Sequence, residues 1–290
     1  MLIFLGILSL SSVSASFSLQ TFGTTYYFLT HQFLLGILPG LLGALILFLL
    51  PLNFIKKWSL PALVFSILLL LLAFLPIIGA VNGANRWIFI GPLSFQPSEL
   101  LKLTFIIYLA ALLANRVPKS KEFSRVKKWT LQRLLEGKEA LIPFIAATGV
   151  ISLLLILQPD VSTLGVIGLT GIIMYFAAGT PSWHTFAMIG VGFLSLFALI
   201  QIAPYRISRL AVFLDPSLDP LGQGYQIKQA LIGIGSGGIT GLGLGLSFQK
   251  FGTLPEPISD SIFAVFAEEV GFVGAALLIM VFLAFALRSF

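Results

Sequence analysis

Long runs of apolar residues, separated by short polar segments, dominate the pattern of this chain; residues 60–78 form a typical run. Because the hydrocarbon core of a bilayer is about 30 Å thick and a helix rises about 1.5 Å per residue, about 20 apolar residues suffice for one crossing. A transmembrane barrel would show short segments of alternating polarity instead. The predicted spans are residues 2–15, 26–50, 60–78, 99–113, 141–157, 164–178, 183–202 and 262–287.

The pattern predicts an all-α integral membrane protein, a polytopic bundle of about eight transmembrane helices that forms one domain over residues 1–290. Composition agrees, with 58% hydrophobic residues, 10% charged residues and a mean hydropathy of +1.03. A water-soluble domain of this composition would expose large apolar patches. The first run could instead be a signal peptide ending near Ala15, but the basic leader of such a peptide is missing. His31 and His184 are isolated, and we interpret each as a residue at a helix end or interface.

The basic residues indicate the orientation of the chain. Eight of them stand between the fourth and fifth spans, and because positive charge accumulates on the cytoplasmic side, we expect residues 116–139 to form a cytoplasmic loop. Alternation then places the long segment 203–260 outside the cell. The net charge of +6 fits topology and anionic membrane lipid better than nucleic acid, so no nucleic-acid partner is expected.

Ionisable residues at membrane depth are costly, so the few beside the predicted spans are candidates for function. Glu99 and Lys102 stand three residues apart, share one helix face and can form an ion pair. A structural ion pair and a substrate contact both remain open for them. Asp160 belongs to the motif at 158–160 (QPD), which echoes the motif at 96–99 (QPSE). Helix capping explains much of both motifs, since an acid at a helix start faces the positive end of the helix dipole.

The predicted outer segment carries basic residues against the usual topological bias, which suggests an anionic ligand at the outer leaflet, such as a diphosphate on a lipid carrier. Asp260, between this segment and the last span, is well placed as a general base on a sugar hydroxyl. Charge and depth alone leave a transporter, a flippase and a transferase as alternatives. The candidate binding residues here are Arg206, Arg209, Lys228 and Lys250.

The glycine run at residues 233–238 matches a dinucleotide-binding fingerprint only superficially. Such a fingerprint needs a surrounding unit of parallel strands and helices, which the sequence does not predict. We therefore expect no nucleotide cofactor. Close backbone packing or a bent re-entrant segment explains these glycines better.

Ordered motifs over nearly the whole chain resemble the SEDS family (shape, elongation, division and sporulation), which includes the FtsW, RodA and SpoVE types. The glycine-rich segment from residue 235 resembles FtsW more than RodA. The matching motifs are residues 82–88 (NGANRWI) with 95–103 (FQPSELLKL), 158–160, 209–222 and 254–269.

This resemblance implies a peptidoglycan glycosyltransferase that polymerises lipid II into glycan strands during cell division or growth. It also implies a bacterial cytoplasmic membrane location with an extracytoplasmic active site, a class B penicillin-binding transpeptidase as partner, and a divalent cation, Mg²⁺ or Mn²⁺. Asp260 aligns with the family's essential acid. Glu99 and Lys102 align with a pair that lines the central outer cavity, Asp160 aligns with a further acid, and Arg86 belongs to the first motif. A lipid II flippase and a scaffold for the transpeptidase are the alternative functions.

The chain departs from the family pattern in two respects. Relatives usually carry a His-Thr pair before the essential acid, where this chain has Ile258 and Ser259, and often an aromatic residue where Ser261 stands. Relatives also generally have about ten spans. The eight predicted here suggest a shortened natural member or an incomplete chain.

Overall fold

The computed structural model describes residues 2–75, 86–90, 93–116, 138–202, 204–220 and 222–289. These residues are predominantly helical. In chain order the helices are α1 (Leu2–Phe22), α2 (Tyr27–Leu49), α3 (Leu52–Leu72), α4 (Pro97–Arg116), α5 (Lys138–Leu157), α6 (Val161–Ala177), α7 (Ser182–Ile202), α8 (Pro204–Leu214), α9 (Gln223–Ser236) and α10 (Ile262–Ser289). A π-helical turn, Gln32–Ile37, lies within α2, and short 3₁₀ helices cover Pro216–Leu218 and Gln249–Phe251.

Within the described residues, six helices are long and apolar enough to cross a membrane: α1, α2, α3, α4, α5 and α10. Two further apolar helices, α6 and α7, are shorter by the same measure. Each predicted span overlaps one of these eight helices, which confirms a helical membrane protein. The number of crossings and their orientation stay predictions. Most of the predicted cytoplasmic loop, residues 117–137, lies outside the described residues.

The start of the third predicted span lies inside a longer helix. The helix begins at Leu52 rather than at residue 60, and Lys56 and Lys57 lie inside its first turns. Backbone hydrogen bonding does not stop where the apolar run stops, so a helix continues past the hydrocarbon wherever its charged side chains can reach water.

A small β-hairpin is the strand structure that the described residues add to this all-α fold. Strands β1 (Ile88–Ile90) and β2 (Leu93–Phe95) pair antiparallel just before α4, with Phe89 opposite Ser94. Alternating apolar residues over such a short stretch resemble a helix end as much as a strand, so periodicity alone did not distinguish them.

The described chain divides into two compact units. The first comprises Met1–Gly43 and Leu199–Phe290, and the second comprises Ala44–Ala198. In the first unit α1 packs against α2 and α10, while α9 packs along α10 and also contacts α8. The predicted outer segment 203–260 therefore contains helices α8 and α9. The buried core of this unit includes Val13, Leu254, Ala264 and Val265.

In the second unit α4 packs against α3, α5 and α6. Leu101, Phe105 and Leu109, spaced four residues apart along α4, are buried at the centre of this core. Gly171 on α6 gives Phe105 room, because a Cβ at that position would lie 3.3 Å from the phenylalanine ring. The close packing of α4 and α6 brings the two QP motifs to one end of the unit.

Candidate functional site

In the second unit, Asp160 lies at the start of α6 and is only 3% exposed. Its Oδ1 accepts a hydrogen bond from the backbone N–H of Thr163 (3.2 Å), and its Oδ2 accepts one from the Thr163 hydroxyl (2.8 Å). The Ser98 hydroxyl, in the first turn of α4, also donates to Oδ2 at 3.4 Å. Asp160 is thus an N-cap whose carboxylate joins two helix starts. This capping is a sufficient structural role, and its predicted substrate contact stays a proposal.

Arg86 holds the chain turn that precedes α6. Its Nε donates to the Gln158 carbonyl at 3.1 Å, and its Nη2 donates to the Pro159 carbonyl. Gln158 is buried, and its side-chain amide donates to the Leu70 carbonyl on α3 at 3.0 Å. The structure therefore brings the first and second sequence motifs together through Arg86.

Glu99 and Lys102 form the ion pair that their spacing predicts. Lys102 Nζ lies 2.8 Å from Glu99 Oε2, and the two side chains are 31% and 57% exposed, respectively. Glu99 stands in the first turn of α4, next to the positive end of the helix dipole. Both side chains reach solvent, so they are accessible to a ligand as well as to each other.

Asp260 belongs to the first unit and is exposed, two residues before α10 begins. Among the described residues, no hydrogen bond to its carboxylate is present. The next residue, Ser261, is buried and fixes the loop: its backbone N–H donates to the Glu256 carbonyl (3.1 Å) and its hydroxyl donates to the Pro255 carbonyl (3.2 Å). Gln226 of α9 donates to the same hydroxyl at 3.2 Å. Asp260 is therefore a solvent-facing carboxylate next to an anchored residue.

A cavity of about 250 Å³ adjoins this loop. Its lining combines two rings with the segment just before Asp260, including Ile258 and Ser259, which stand where relatives usually carry a His-Thr pair. The Phe17 and Phe28 ring centroids are 5.9 Å apart, and the Ser259 hydroxyl donates to the Glu256 carboxylate at 3.1 Å. Glu256 has a φ of +48°, in the left-handed region that residues other than glycine adopt uncommonly. The lining residues are Phe17, Phe28, Glu256, Pro257, Ile258 and Ser259.

The predicted outer cations have different surroundings. Arg206 and Arg209 lie on α8, and Lys228 lies on α9. The Arg209 and Lys228 side chains are exposed. Lys250, by contrast, is buried, and its ammonium donates to Glu269 Oε1 (3.0 Å), the Gly245 carbonyl (2.7 Å) and the Ser12 carbonyl (3.4 Å). All three of its donors are engaged inside the protein, which favours a structural role over the predicted substrate contact.

Two adjacent carboxylates complete this buried network. Glu269 also accepts hydrogen bonds from the Ser12 hydroxyl of α1, at 2.8 Å and 2.6 Å to its two oxygens. Glu268 accepts from the Ser247 hydroxyl and from the backbone N–H groups of Phe248 (3.2 Å) and Gln249 (3.3 Å). Charges buried in a membrane protein persist only when they are paired or hydrogen-bonded, and here both conditions are met.

Helix α10 is broken at Gly271, whose φ of 70° and ψ of −172° are not helical. The break removes the helical partners of the Phe272 and Val273 N–H groups and of the Glu268 and Glu269 carbonyls. The glycine-rich segment replaces them all. Phe272 and Val273 donate to the carbonyls of Gly238 (2.9 Å) and Ile239 (3.1 Å), while Leu242 and Gly243 donate to those of Glu268 (3.0 Å) and Glu269 (2.9 Å). Backbone groups freed at membrane depth are thus satisfied internally.

This contact explains the glycine run that the sequence left between two interpretations. A Cβ at Gly237 would lie 2.9 Å from Glu268 Cα, and a Cβ at Gly241 would overlap the Glu269 carbonyl. Glycine is required at both positions because backbone meets backbone there. Of the two interpretations, close backbone packing is confirmed.

Some residues of these networks carried no sequence signal. Ser12 lies in a serine-rich stretch of α1, and its link to Glu269 joins residues that are far apart in the chain. Outside these networks, His184 lies near the start of α7, in agreement with its interpretation as a residue at a helix end; it is buried, and its Nδ1 lies 3.0 Å from the Tyr175 hydroxyl. Within the described part of the chain, no group of three or more His, Asp or Glu residues could hold a metal ion.

Comparison with known proteins agrees with the resemblance. The family model described as cell cycle protein, for FtsW, RodA and SpoVE, matches residues 1–290. A probable peptidoglycan glycosyltransferase FtsW from Nitrosococcus halophilus is 38% identical over 285 residues, which cover 98% of this chain and 70% of the relative. The stage V sporulation protein E of Bacillus subtilis is 35% identical over 289 residues, covering 97% of this chain and 73% of the relative.

Solved structures have the same fold. A peptidoglycan synthase complex that coordinates polymerization and crosslinking contains a chain with a TM-score of 0.63 and 27% identity, matched over 99% of this chain and 75% of that one. The rod shape determining protein RodA of Thermus thermophilus gives a TM-score of 0.56 and 28% identity, with coverages of 99% and 72%. Together, the full-length family match, these identities and the shared fold show that the chain is a multi-pass membrane protein of the FtsW/RodA/SpoVE family of cell cycle proteins.

Proposed function

We propose that this protein is a peptidoglycan glycosyltransferase that joins lipid II units into glycan strands at the outer face of the bacterial cytoplasmic membrane. The relative from Nitrosococcus halophilus carries that activity in its name and aligns with 98% of this chain. The observation that carries the proposal is the setting of Asp260, an exposed carboxylate beside a cavity at the start of a mostly buried helix segment.

The chemistry is a displacement at the anomeric carbon of one lipid II unit. A hydroxyl of the second unit attacks that carbon, a new glycosidic bond forms, and the bond to the diphosphate lipid breaks. Asp260 accepts the proton of the attacking hydroxyl, which makes the oxygen more nucleophilic. The diphosphate leaves with the electron pair of the broken bond.

The leaving diphosphate needs positive charge nearby. Arg206, Arg209 and Lys228 stand on α8 and α9 of the same unit as Asp260, so they are the proposed contacts for the phosphates. In the second unit the exposed pair Glu99–Lys102 is proposed as a further substrate contact, together with Arg86 and Asp160. The cavity lined by Phe17 and Phe28 suits a sugar ring, because aromatic faces pack against sugar C–H groups while Glu256 accepts hydroxyl hydrogen bonds.

The resemblance also leads us to expect a divalent cation, Mg²⁺ or Mn²⁺. The described residues do not fit a resident metal, because they contain no cluster of three His, Asp or Glu side chains that could hold one. The proposed roles of this chain's residues therefore stand without it. The assay compares Mg²⁺, Mn²⁺ and a chelator to test whether a cation is required.

We also propose a class B penicillin-binding transpeptidase as the partner, since a structural relative forms part of a peptidoglycan synthase complex. Glycan strands made by one enzyme would then be crosslinked by the other. Copurification of the two proteins from the membrane tests this pairing.

The test of the activity is polymerisation of labelled lipid II by the purified protein, read as product length on a gel. Asp260→Asn removes the base and should lower kcat by about 100-fold or more. Asp215→Asn is the matched control, because Asp215 is an exposed acid that only caps the 3₁₀ helix at Pro216 and should leave kcat unchanged.

Undiminished product from Asp260→Asn would refute the assignment of the base. A protein that exposes inner-leaflet lipid II in vesicles without lengthening it would be the flippase alternative. A protein that makes no polymer but still recruits the transpeptidase would be the scaffold alternative.

A further inference from the structure

We infer that Lys250 and Glu269 are positioning residues: their buried ion pair closes the base of the loop that carries Asp260. This inference rests on the proposed role of Asp260 in polymerisation. Lys250 stands in the 3₁₀ helix at one end of the loop, and Glu269 stands on α10 beyond the other end. The pair therefore joins the two ends of the segment that contains Asp260.

Both side chains of the pair are buried and hydrogen-bonded to other parts of the first unit. The Lys250 and Glu269 side chains are 3% and 2% exposed, and Nζ lies 3.0 Å from Oε1. Ser12 of α1 donates to both Glu269 oxygens and its carbonyl accepts from Lys250, so a third element fixes the pair. A buried pair surrounded by partners has few alternative geometries, and it transmits that rigidity to the chain on both sides.

Glu268, the residue before Glu269, makes a second set of contacts between α10 and the start of the loop. Its carboxylate accepts the N–H groups of Phe248 and Gln249, the residues just before Lys250, and the Ser247 hydroxyl. The carboxylates of Glu268 and Glu269 on α10 thus bind four consecutive residues, 247–250. Closing both ends of a loop removes most of the conformations that its middle could adopt.

The rigidity reaches Asp260 through a short series of bonds. Within the loop, the Leu254 N–H donates to the Gln249 carbonyl at 3.2 Å, and the Ser261 N–H donates to the Glu256 carbonyl at 3.1 Å. Asp260 lies beside Ser261 and is exposed, with no bond of its own to another described residue. The position of Asp260 therefore depends on the conformation of the loop. That conformation depends in turn on the contacts that close the two ends of the loop.

The test measures two properties of the purified full-length chain. Steady-state polymerisation of lipid II gives kcat and KM, and amide hydrogen exchange of Leu254 and Ser261 reports how often the loop opens. Lys250→Met should lower kcat by about 100-fold with little change in KM, because a displaced base affects reaction more than binding. The two amides should exchange faster. Lys56→Met is the matched control, since Lys56 is exposed and bonds only to the Asn115 side chain among the described residues.

The double variant Lys250→Met/Glu269→Gln separates positioning from general stability. It removes both charges, so it should unfold at a higher temperature than Lys250→Met while its kcat stays low and its loop amides stay fast. Recovery of kcat together with stability would overturn the positioning role. Unchanged exchange in Lys250→Met, or an equal loss of kcat in Lys56→Met, would also overturn it. An unaltered kcat in Asp260→Asn would instead refute the proposed function, and the exchange measurement would still report on loop closure.

Discussion

Two ion pairs among the described residues have the same chemistry and opposite environments. In the second unit Lys102 and Glu99 meet at 2.8 Å on the open face of α4, where both side chains reach solvent. In the first unit Lys250 and Glu269 meet at 3.0 Å among α1, α10 and the 3₁₀ helix, where neither does. The distances are nearly equal, so distance alone does not separate a pair that is able to bind a ligand from a pair that stabilises the fold.

Burial and partner number distinguish the two pairs. Glu99 and Lys102 retain water, so their mutual attraction is screened and a charged ligand can compete for either one. Lys250 has its three donors occupied, and besides the lysine Glu269 has the Ser12 hydroxyl within hydrogen-bond distance of both its oxygens. We conclude that the exposed pair is suited to binding and the buried pair is suited to holding elements in place.

The largest effect should come from breaking the buried pair. Glu269→Gln leaves the Lys250 ammonium without its counter-charge at a site from which water is excluded, so we expect a loss of about 3–5 kcal/mol in the free energy of unfolding. Thermal or denaturant unfolding in detergent, compared with wild type, measures this loss. A change below about 1 kcal/mol would show that the site behaves as a surface pair does.

An intermediate effect should follow from filling the break in α10. Gly271→Ala places a Cβ 2.6 Å from the Ile239 carbonyl in a backbone conformation that only glycine adopts readily. We expect a cost of about 1–3 kcal/mol, measured by the same unfolding experiment. Gly40→Ala is the matched control: Gly40 is helical, nothing lies within 4 Å of the added Cβ, and alanine favours helix there. Equal destabilisation by both substitutions would contradict this account.

Sequence reasoning succeeded where one stretch of chain decides the outcome. Among the described residues, apolar runs located each helix that is long and apolar enough to cross a membrane, because burial in lipid is a property of each run by itself. The spacing of Glu99 and Lys102 predicted their pairing, because residues three apart share one face of a helix. The position of Asp160 after proline predicted a cap. Helix α3 starts before the third apolar run, at Leu52, because an apolar run marks the part of a helix that suits lipid and not where its backbone hydrogen bonds begin.

Sequence reasoning did not identify contacts that two distant segments make together. Lys250 was grouped with the outer cations because its sequence neighbourhood is polar, yet its surroundings include Glu269 and Ser12, which meet it only in the folded chain. The glycine run was open between two interpretations until the break at Gly271 supplied the backbone groups that it pairs with. Whether a charge is buried depends on packing, which the pattern of a single chain does not encode.

The smallest effect on stability should come from the exposed pair, and its effect on activity should be larger. Glu99→Gln removes one charge from a solvated, screened pair, so the free energy of unfolding should change by less than about 1 kcal/mol. If Lys102 and Glu99 contact the substrate as proposed, kcat/KM for lipid II should fall, and the difference from wild type should shrink as salt is raised. Unfolding and polymerisation measured on the same preparation check both statements. A loss of stability as large as that of Glu269→Gln would abolish the distinction between the pairs, because it would mean that exposure does not separate binding charges from structural ones.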